Sequence, residues 1–479
     1  MRHFASLLAL ATGTLVAATC HAKPALTVDF SHTDGVIRPL HGVNGGPLNY
    51  RGVVDLSDHY KALNIPLARL HDIPWAYSDV VDISMVFPDF RDDPGDPASY
   101  RFAATDDFID SLVTLGIPIL YRLGESIEHT VRKYRVNPPE DFAKWAEICC
   151  GVIRHYNEGW AGGFHHNIRY WEVLNEPDLA VNRDTWAGTD AQSLELYTTT
   201  AKAIKQRWPN LKVGGPGLRS AGKIVDGRFQ PSKYLLLFLR HCRDNQVPLD
   251  FLSWHRYTND PAEYPIFSRE VRRLLDEHGF TAAESHLNEW NYLPRNDWTS
   301  LRKGGQGVPR QQWLTEMGSS RGAAFVAWTL ISLQREPLDM ANFFTADTQM
   351  LGTFTPDGVP KKNFYAFKAF SALLQTPVRM ATPSPQRGEI AVCAGINDAK
   401  TTASILLSNF NAGESAAELT LRGLPWPAPT RFELVIVDDD HDFKPVRSGR
   451  VNANGRIPLP ELKPYTVALL RLSPTTAAP

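Results

Sequence analysis

Residues 168–179, IRYWEVLNEPDL, hold an apolar run that closes on Asn175, Glu176 and Pro177. The run reads as a buried strand, and the proline ends it sharply and fixes the direction of the carboxylate before it. Upstream, NPPEDFAKWAEICCGVIRHY (137–156) carries Phe142, Trp145, Cys149, Val152 and Tyr156 at helical spacing, with Asn137 as N-cap and proline opening the helix. Downstream, LKVGGPG (211–217) is a second short apolar run. The same alternation extends both ways, through IRPLHGVNGG (37–46), PLARLHD (66–72), PILYRLG (118–124), DFLSWHRY (250–257), ESHLNEW (284–290) and AFVAWTL (324–330). Eight strand-helix alternations in residues 37–375 predict an α/β fold, a (β/α)8 TIM barrel rather than an open doubly wound sheet.

Beyond residue 376 the pattern changes to RGEIAVCAGI, TTASILLSNF, AAELTLRGL, RFELVIVDDD and YTVALLRLS, apolar runs of strand length separated by turn residues. They predict a C-terminal β-sandwich over 376–479, which the strand-like segment within 23–36, ALTVDFSHT, is expected to join. A chain of 479 residues suits one large domain with a smaller one.

The net charge is −2, from 50 basic and 52 acidic residues, with no basic block to bind nucleic acid or an anionic membrane. A neutral partner is expected. Residues 1–22 read as a secretory signal, a basic start and an apolar stretch with cleavage after Ala22, which predicts a periplasmic or secreted protein. Lipidation at Cys20 is disfavoured by Thr19 before it. No other segment reaches the roughly 20 apolar residues of a membrane span.

Cys149, Cys150, Cys242 and Cys393 lack zinc spacing and are too sparse for a disulfide scaffold, which leaves core packing, with one disulfide open to an oxidising compartment. FHHN (164–167) puts adjacent histidines at the wrong end of a barrel strand, and VDDDHDF (437–443) lacks the glycine and glutamate of a calcium loop. No metal and no cofactor are expected.

Side chains at the C-terminal ends of barrel strands converge on the mouth. Those ends supply Asn44, Arg69, His71, Asp72, Arg122, Glu125, Asn175, Glu176, His255, Tyr257, Asn288, Glu289, Trp290 and Trp328. Aromatic faces pack on sugar C–H groups, and the amides, arginines and histidines pair with hydroxyls that are costly to bury alone. Glu176 and Glu289 each follow an asparagine, on strands four and seven, which face one another across a closed barrel. Glycoside hydrolysis needs two such groups, one neutral to protonate the leaving oxygen and one ionised to attack carbon or activate water. Repulsion between them raises the pKa of the proton donor, and ester formation removes the charge so that the same group can then act as base.

RYWEVLNEPDL, NLKVGGPGL, LRHCRDNQVPLDFLSWHRY, HLNEWN, AWTL and GVPKKNFYAFKAF together resemble glycoside hydrolase family 39, which includes β-xylosidases and α-L-iduronidases. The resemblance runs in order from about residue 40 to 375 and implies a barrel paired with a sandwich and a retaining mechanism. It implies Glu176 as acid/base and Glu289 as nucleophile, with Asn175 on the sugar 2-hydroxyl. By the same resemblance His255 and Tyr257 would line the site and orient the nucleophile, Arg69 would lie under the nucleophile and Trp328 would floor the sugar subsite; the strand-end reading adds His71 and Trp290 as substrate-binding candidates.

The resulting expectation is a secreted retaining β-xylosidase, releasing xylose from the non-reducing ends of xylo-oligosaccharides. Its alternatives are another sugar, namely an α-L-arabinoside, a uronide or an exopolysaccharide backbone, and a barrel that binds glycan without cutting it. The long acidic loop after strand two (73–100) argues against an anionic sugar, for which Arg335 would be an isolated partner.

Overall fold

The computed structural model describes residues 26–475, apart from 50–52, 74, 76–78, 180–182, 303, 413–417, 427–428 and 452–454. The signal segment, Cys20 and the cleavage point after Ala22 lie outside the described residues.

Eight strands close into a barrel: Gly42–Asn44, Ala68–Leu70, Ile119–Leu123, Tyr170–Val173, Lys212–Leu218, Phe251–Thr258, Glu284–Tyr292 and Met340–Phe343. Every neighbouring pair is parallel. Each strand is followed by a helix: Ser57–Leu63, Ala103–Val113, Phe142–Glu158, Asp190–Arg207, Lys233–Asp244, Glu263–Glu277, Ser320–Ser332 and Lys362–Leu373. The third helix starts later than its prolines suggested. Asp141, not Asn137, accepts the Lys144 N–H and caps it, while Gly159 (φ 74°) closes it in the left-handed conformation.

The barrel interior is layered by the two-residue period of its strands. Tyr170, Phe251 and His286 cluster near the N-terminal end, with Phe251 and His286 stacked 4.5 Å apart. Two residues further along the same strands stand Glu172, Ser253 and Asn288, buried and polar. The residues of the mouth lie beyond them.

Strand eight is a correction. AFVAWTL (324–330) belongs to the helix Ser320–Ser332, and the eighth strand is Met340–Phe343. Twelve of the thirteen residues of that helix are buried, because it lies between the barrel and the sandwich sheet. A helix apolar on all sides has no periodic polar face, so over a short window it cannot be told from a buried strand.

The sandwich has a seven-stranded sheet and a three-stranded sheet. The larger runs Thr33–Val36, Val378–Met380, Ala391–Ile396, Ala403–Asn409, Thr466–Pro474, Thr430–Val437 and Asp442–Arg450. The smaller joins Leu26–Asp29, parallel, to Glu418–Arg422, with Arg456–Pro458 beyond. Ile405, Leu407, Leu434 and Leu470 face Val28 and Leu419 of the second sheet, while Leu406, Val435 and Leu469 join the barrel-side core. Burial on both faces explains why these strands read as continuous apolar runs.

Cys149, Cys150, Cys242 and Cys393 are free and buried. In VDDDHDF, Asp438 accepts the Asp440 and His441 N–H groups of its own turn. Asp442 pairs with Lys362 at 2.8 Å.

Candidate active site

The strand carrying Glu176 ends in an unusual backbone. Leu174 (φ 73°) and Glu176 (φ 45°) are both left-handed, a conformation that costs a non-glycine residue about 1–3 kcal/mol. Neighbours hold it: the Glu176 N–H donates to Gly217 O at 2.8 Å on strand five, and Thr185 Oγ1 donates to Glu176 O at 2.6 Å. Strain retained by such contacts is characteristic of functional sites.

Glu176 and Glu289 meet across the mouth, with carboxylate oxygens within 4.8 Å of one another and of a His255 ring nitrogen. His255 Nδ1 lies 2.8 Å from Glu176 Oε1 and 3.3 Å from Glu289 Oε2. The rest of their surroundings differs. Glu289 accepts Arg69 Nη1 at 2.8 Å on one oxygen and the Tyr257 hydroxyl at 2.8 Å on the other. Among the described residues, Glu176 has His255 alone as a hydrogen-bond partner for its carboxyl group.

Burial pushes the Glu176 carboxyl up to about 7, against the pull of Arg219 and Arg69. Burial also raises Glu289, with His255 and Arg69 pulling it back. Burial lowers His255 to about 4, so at neutral pH the imidazole is uncharged. Depending on its tautomer, Nδ1 then donates to an ionised Glu176 or accepts from a protonated one.

Arg69 organises the floor. Its Nη2 donates to Asn175 Oδ1 at 2.7 Å and its Nη1 also reaches Asn44 Oδ1 at 3.1 Å. Among the described residues His71 Nε2 has no hydrogen-bond partner, lying 3.7 Å from Glu289 Oε1 and 3.4 Å from Asp72 Oδ1. Glu176, His255 and Glu289 are close enough to suggest a metal, but the Arg69 guanidinium already holds Glu289 and would repel a second cation.

Asn175, Arg69, His71, His255 and Tyr257 thus gather around the two glutamates. Two other candidates do not. Trp290 is fully buried and packs against Tyr264, Phe343 and Phe367, because neighbours on a strand face opposite ways and Glu289 takes the inward side. Trp328 lies on the helix mistaken for strand eight and donates Nε1 to Glu389 O at 3.1 Å, on the sandwich side.

The acidic loop after strand two is partly neutralised by arginines on and beyond strand three: Asp82 pairs with Arg122 at 2.6 Å, and Asp79 with Arg135 at 2.9 Å. Arg335 pairs with Asp34 at 2.5 Å and is not available to a sugar acid.

Aromatic residues that the sequence reading did not select border the site. Phe344, just past the true eighth strand, has its ring 6.3 Å from His71 and 6.5 Å from Tyr257. Trp298 meets Tyr257 edge-on at 5.0 Å. Phe344 was hidden by the misplaced strand, whereas Trp298 sits in a loop without periodicity.

The family model described as "Glycosyl hydrolases family 39" matches residues 58–279, a span that includes Arg69, Glu176 and His255 and stops before Glu289. A beta-xylosidase of Geobacillus stearothermophilus is 26% identical over 305 residues, 57% of this chain and 56% of the relative. The chain is thus similar to glycosyl hydrolase family 39 over residues 58–279. It spans little more than half the length of that family relative. A glucosidase from Croceicoccus marinus matches more completely, with TM-score 0.76 and 26% identity over 95% of this chain and 100% of its own. The family 39 enzyme of Xanthomonas axonopodis pv. citri, 17% identical, shares the fold at TM-score 0.66 over 96% of this chain and 100% of its own.

Proposed function

We propose that this protein is a retaining glycoside hydrolase in which Glu289 is the nucleophile and Glu176 the acid/base, and that its substrates are β-xylosides. The observation that carries the reading is the asymmetry of the two buried carboxyl groups. Glu289 is held by Arg69 and Tyr257, which favour its charged form, while burial leaves Glu176 with a pKa of about 7 and hence a proton to give.

Glu289 attacks the anomeric carbon as the glycosidic C–O bond breaks, and the Glu176 proton goes to the leaving oxygen. Water then gives a proton to Glu176 and attacks the same carbon, the ester bond to Glu289 breaks, and the sugar leaves with its original configuration. An oxygen–oxygen approach within 4.8 Å fits the roughly 5–5.5 Å carboxyl separation of retaining enzymes better than the roughly 6.5–9.5 Å of inverting ones.

Xylose at the non-reducing end is supported by the name of the Geobacillus relative. A second reading, a glucoside, is favoured by the glucosidase that matches nearly the whole chain. The reading includes export to the periplasm or medium, supported by the leader at residues 1–22, and N-terminal sequencing of the mature protein tests it.

The test of function is a panel of aryl β-xyloside, β-glucoside, β-galactoside, α-L-arabinoside and α-L-iduronide with the wild type and Glu289→Ala. Release from the xyloside with retained configuration, lost in the variant and restored by azide as the inverted azide adduct, is the expected result. Full activity in Glu289→Ala would overturn the assignment.

A further inference from the structure

Glu172 precedes Glu176 by one helical turn's worth of sequence, but on a strand, deep below the mouth, where both it and Arg69 are wholly buried. A carboxylate in that position needs a full set of partners. It has them: Oε2 accepts Arg69 Nε at 2.7 Å, and Oε1 accepts Ser253 Oγ at 2.5 Å and Asn288 Nδ2 at 2.5 Å.

The other Arg69 nitrogens are committed upward, Nη1 to Glu289 and Nη2 to Asn175, at 2.8 and 2.7 Å. One planar guanidinium therefore ties a carboxylate below to a carboxylate and an amide above. Because its fork is rigid, the orientation set at Nε is transmitted to Nη1 and Nη2. The neighbouring residues of the upper pair, Asn175 and Asn288, are drawn into the same network, since Asn288 binds Glu172 directly and its carbonyl accepts Asn44 Nδ2 at 2.8 Å.

We propose that Glu172 is a positioning residue for the reacting pair: through Arg69 it sets the direction of Glu289 and Asn175, and its charge prevents Arg69 from neutralising Glu289 outright. With Glu172 in place, Arg69 is shared between two anions, and the site retains a negative charge beneath the sugar, where a cationic transition state develops. Without it, the whole guanidinium charge falls on Glu289, which becomes a weaker base and nucleophile. This inference rests on Glu176 and Glu289 being the reacting pair. The charged and titratable groups facing that pair are Arg69 and His71 from the end of strand two, with Asp72 and Arg122 behind His71, Glu172 from strand four with Asp178 beyond it, Arg219 beyond strand five, and His255 and Tyr257 from strand six.

The test is a 13C NMR titration of carboxyl-labelled glutamate in wild type, Glu172→Gln and Glu172→Asp, alongside kinetics. In Glu172→Gln the midpoint of Glu289 falls by about one pH unit and that of Glu176 moves down with it. kcat drops about tenfold to a hundredfold, while KM stays within about threefold. Glu172→Asp, shorter but still charged, keeps both midpoints near wild type and loses kcat only. An unmoved Glu289 midpoint in folded Glu172→Gln overturns the proposal, as does a lowered midpoint in Glu172→Asp should the glutamine variant not fold. The titration needs no substrate, so a wild type silent on every glycoside would remove the glycosidase reading without deciding the role of Glu172.

Discussion

The Tyr257 hydroxyl donates to Glu289 Oε2 at 2.8 Å, on the oxygen opposite the one that Arg69 holds. Each carboxylate oxygen thus has a donor of its own, and the free lone pairs are aimed by both. Removing one donor from a charged acceptor costs about 1.5–3 kcal/mol. Tyr257→Phe is expected to lower kcat/KM roughly tenfold to a hundredfold, since each 1.4 kcal/mol is about a factor of ten. Steady-state kinetics with unchanged circular dichroism checks it.

The pH profile follows from the two carboxyl groups. In the proposed mechanism Glu176 must be protonated, and its pKa of about 7 puts the basic limb of kcat/KM near pH 7. In the same mechanism Glu289 must be ionised, and burial raises it above the ordinary carboxylate range, so the acid limb lies above that range. Initial rates from pH 4 to 9 with an aryl glycoside read both limbs, and a rate still rising through pH 8 would contradict the assignment.

The same burial has a sign for stability. A carboxyl whose folded pKa is raised binds its proton more tightly when folded, so stability is lost as pH climbs from its unfolded value through about 7. Glu176→Gln has no titrating proton to lose. Its melting temperature relative to wild type is expected to be higher at pH 8 than at pH 5, as calorimetry at the two pH values would show.

Trp298 meets Tyr257 edge-on at 5.0 Å and is only partly buried, which leaves indole surface for a sugar face. Trp298→Ala should raise KM about tenfold, an aromatic contact being worth about 0.5–1.5 kcal/mol beyond its area. The effect on kcat should be smaller, and Michaelis curves with the preferred aryl glycoside separate the two.

Trp328 makes the opposite case. It is buried beside the sandwich, with its indole N–H on Glu389 O. Trp328→Phe should cost about 1–3 kcal/mol of stability and leave KM as it was. Denaturant unfolding paired with kinetics distinguishes this from a role under the sugar.

Most of the barrel was legible because its strands are short apolar runs and its outer helices show one polar face. Strand eight was not, since Met340–Phe343 is a four-residue run, while the helix Ser320–Ser332 before it offered a stronger apolar signal. That one displacement moved Trp328 into the site and kept Phe344 out of it. Trp290 was avoidable: the two-residue period puts Glu289 and Trp290 on opposite faces. Glu172 also left a trace, as a charge within an apolar strand is seldom buried without a partner. Trp298 and the left-handed φ of Glu176 left none, because loop course and backbone strain are decided by tertiary contacts.

The helix Ser320–Ser332 gives the two domains a common fate. Ser408 of the sandwich donates to the carbonyl of Ala324 in that helix at 2.7 Å, and the helix side chains belong to the barrel's own core. Cutting the chain near residue 376 would uncover Phe325, Trp328 and their neighbours to water and leave an apolar stripe prone to self-association. The sandwich is therefore the lid of the barrel's hydrophobic core, and the catalytic domain alone is a poor candidate for expression as a fragment.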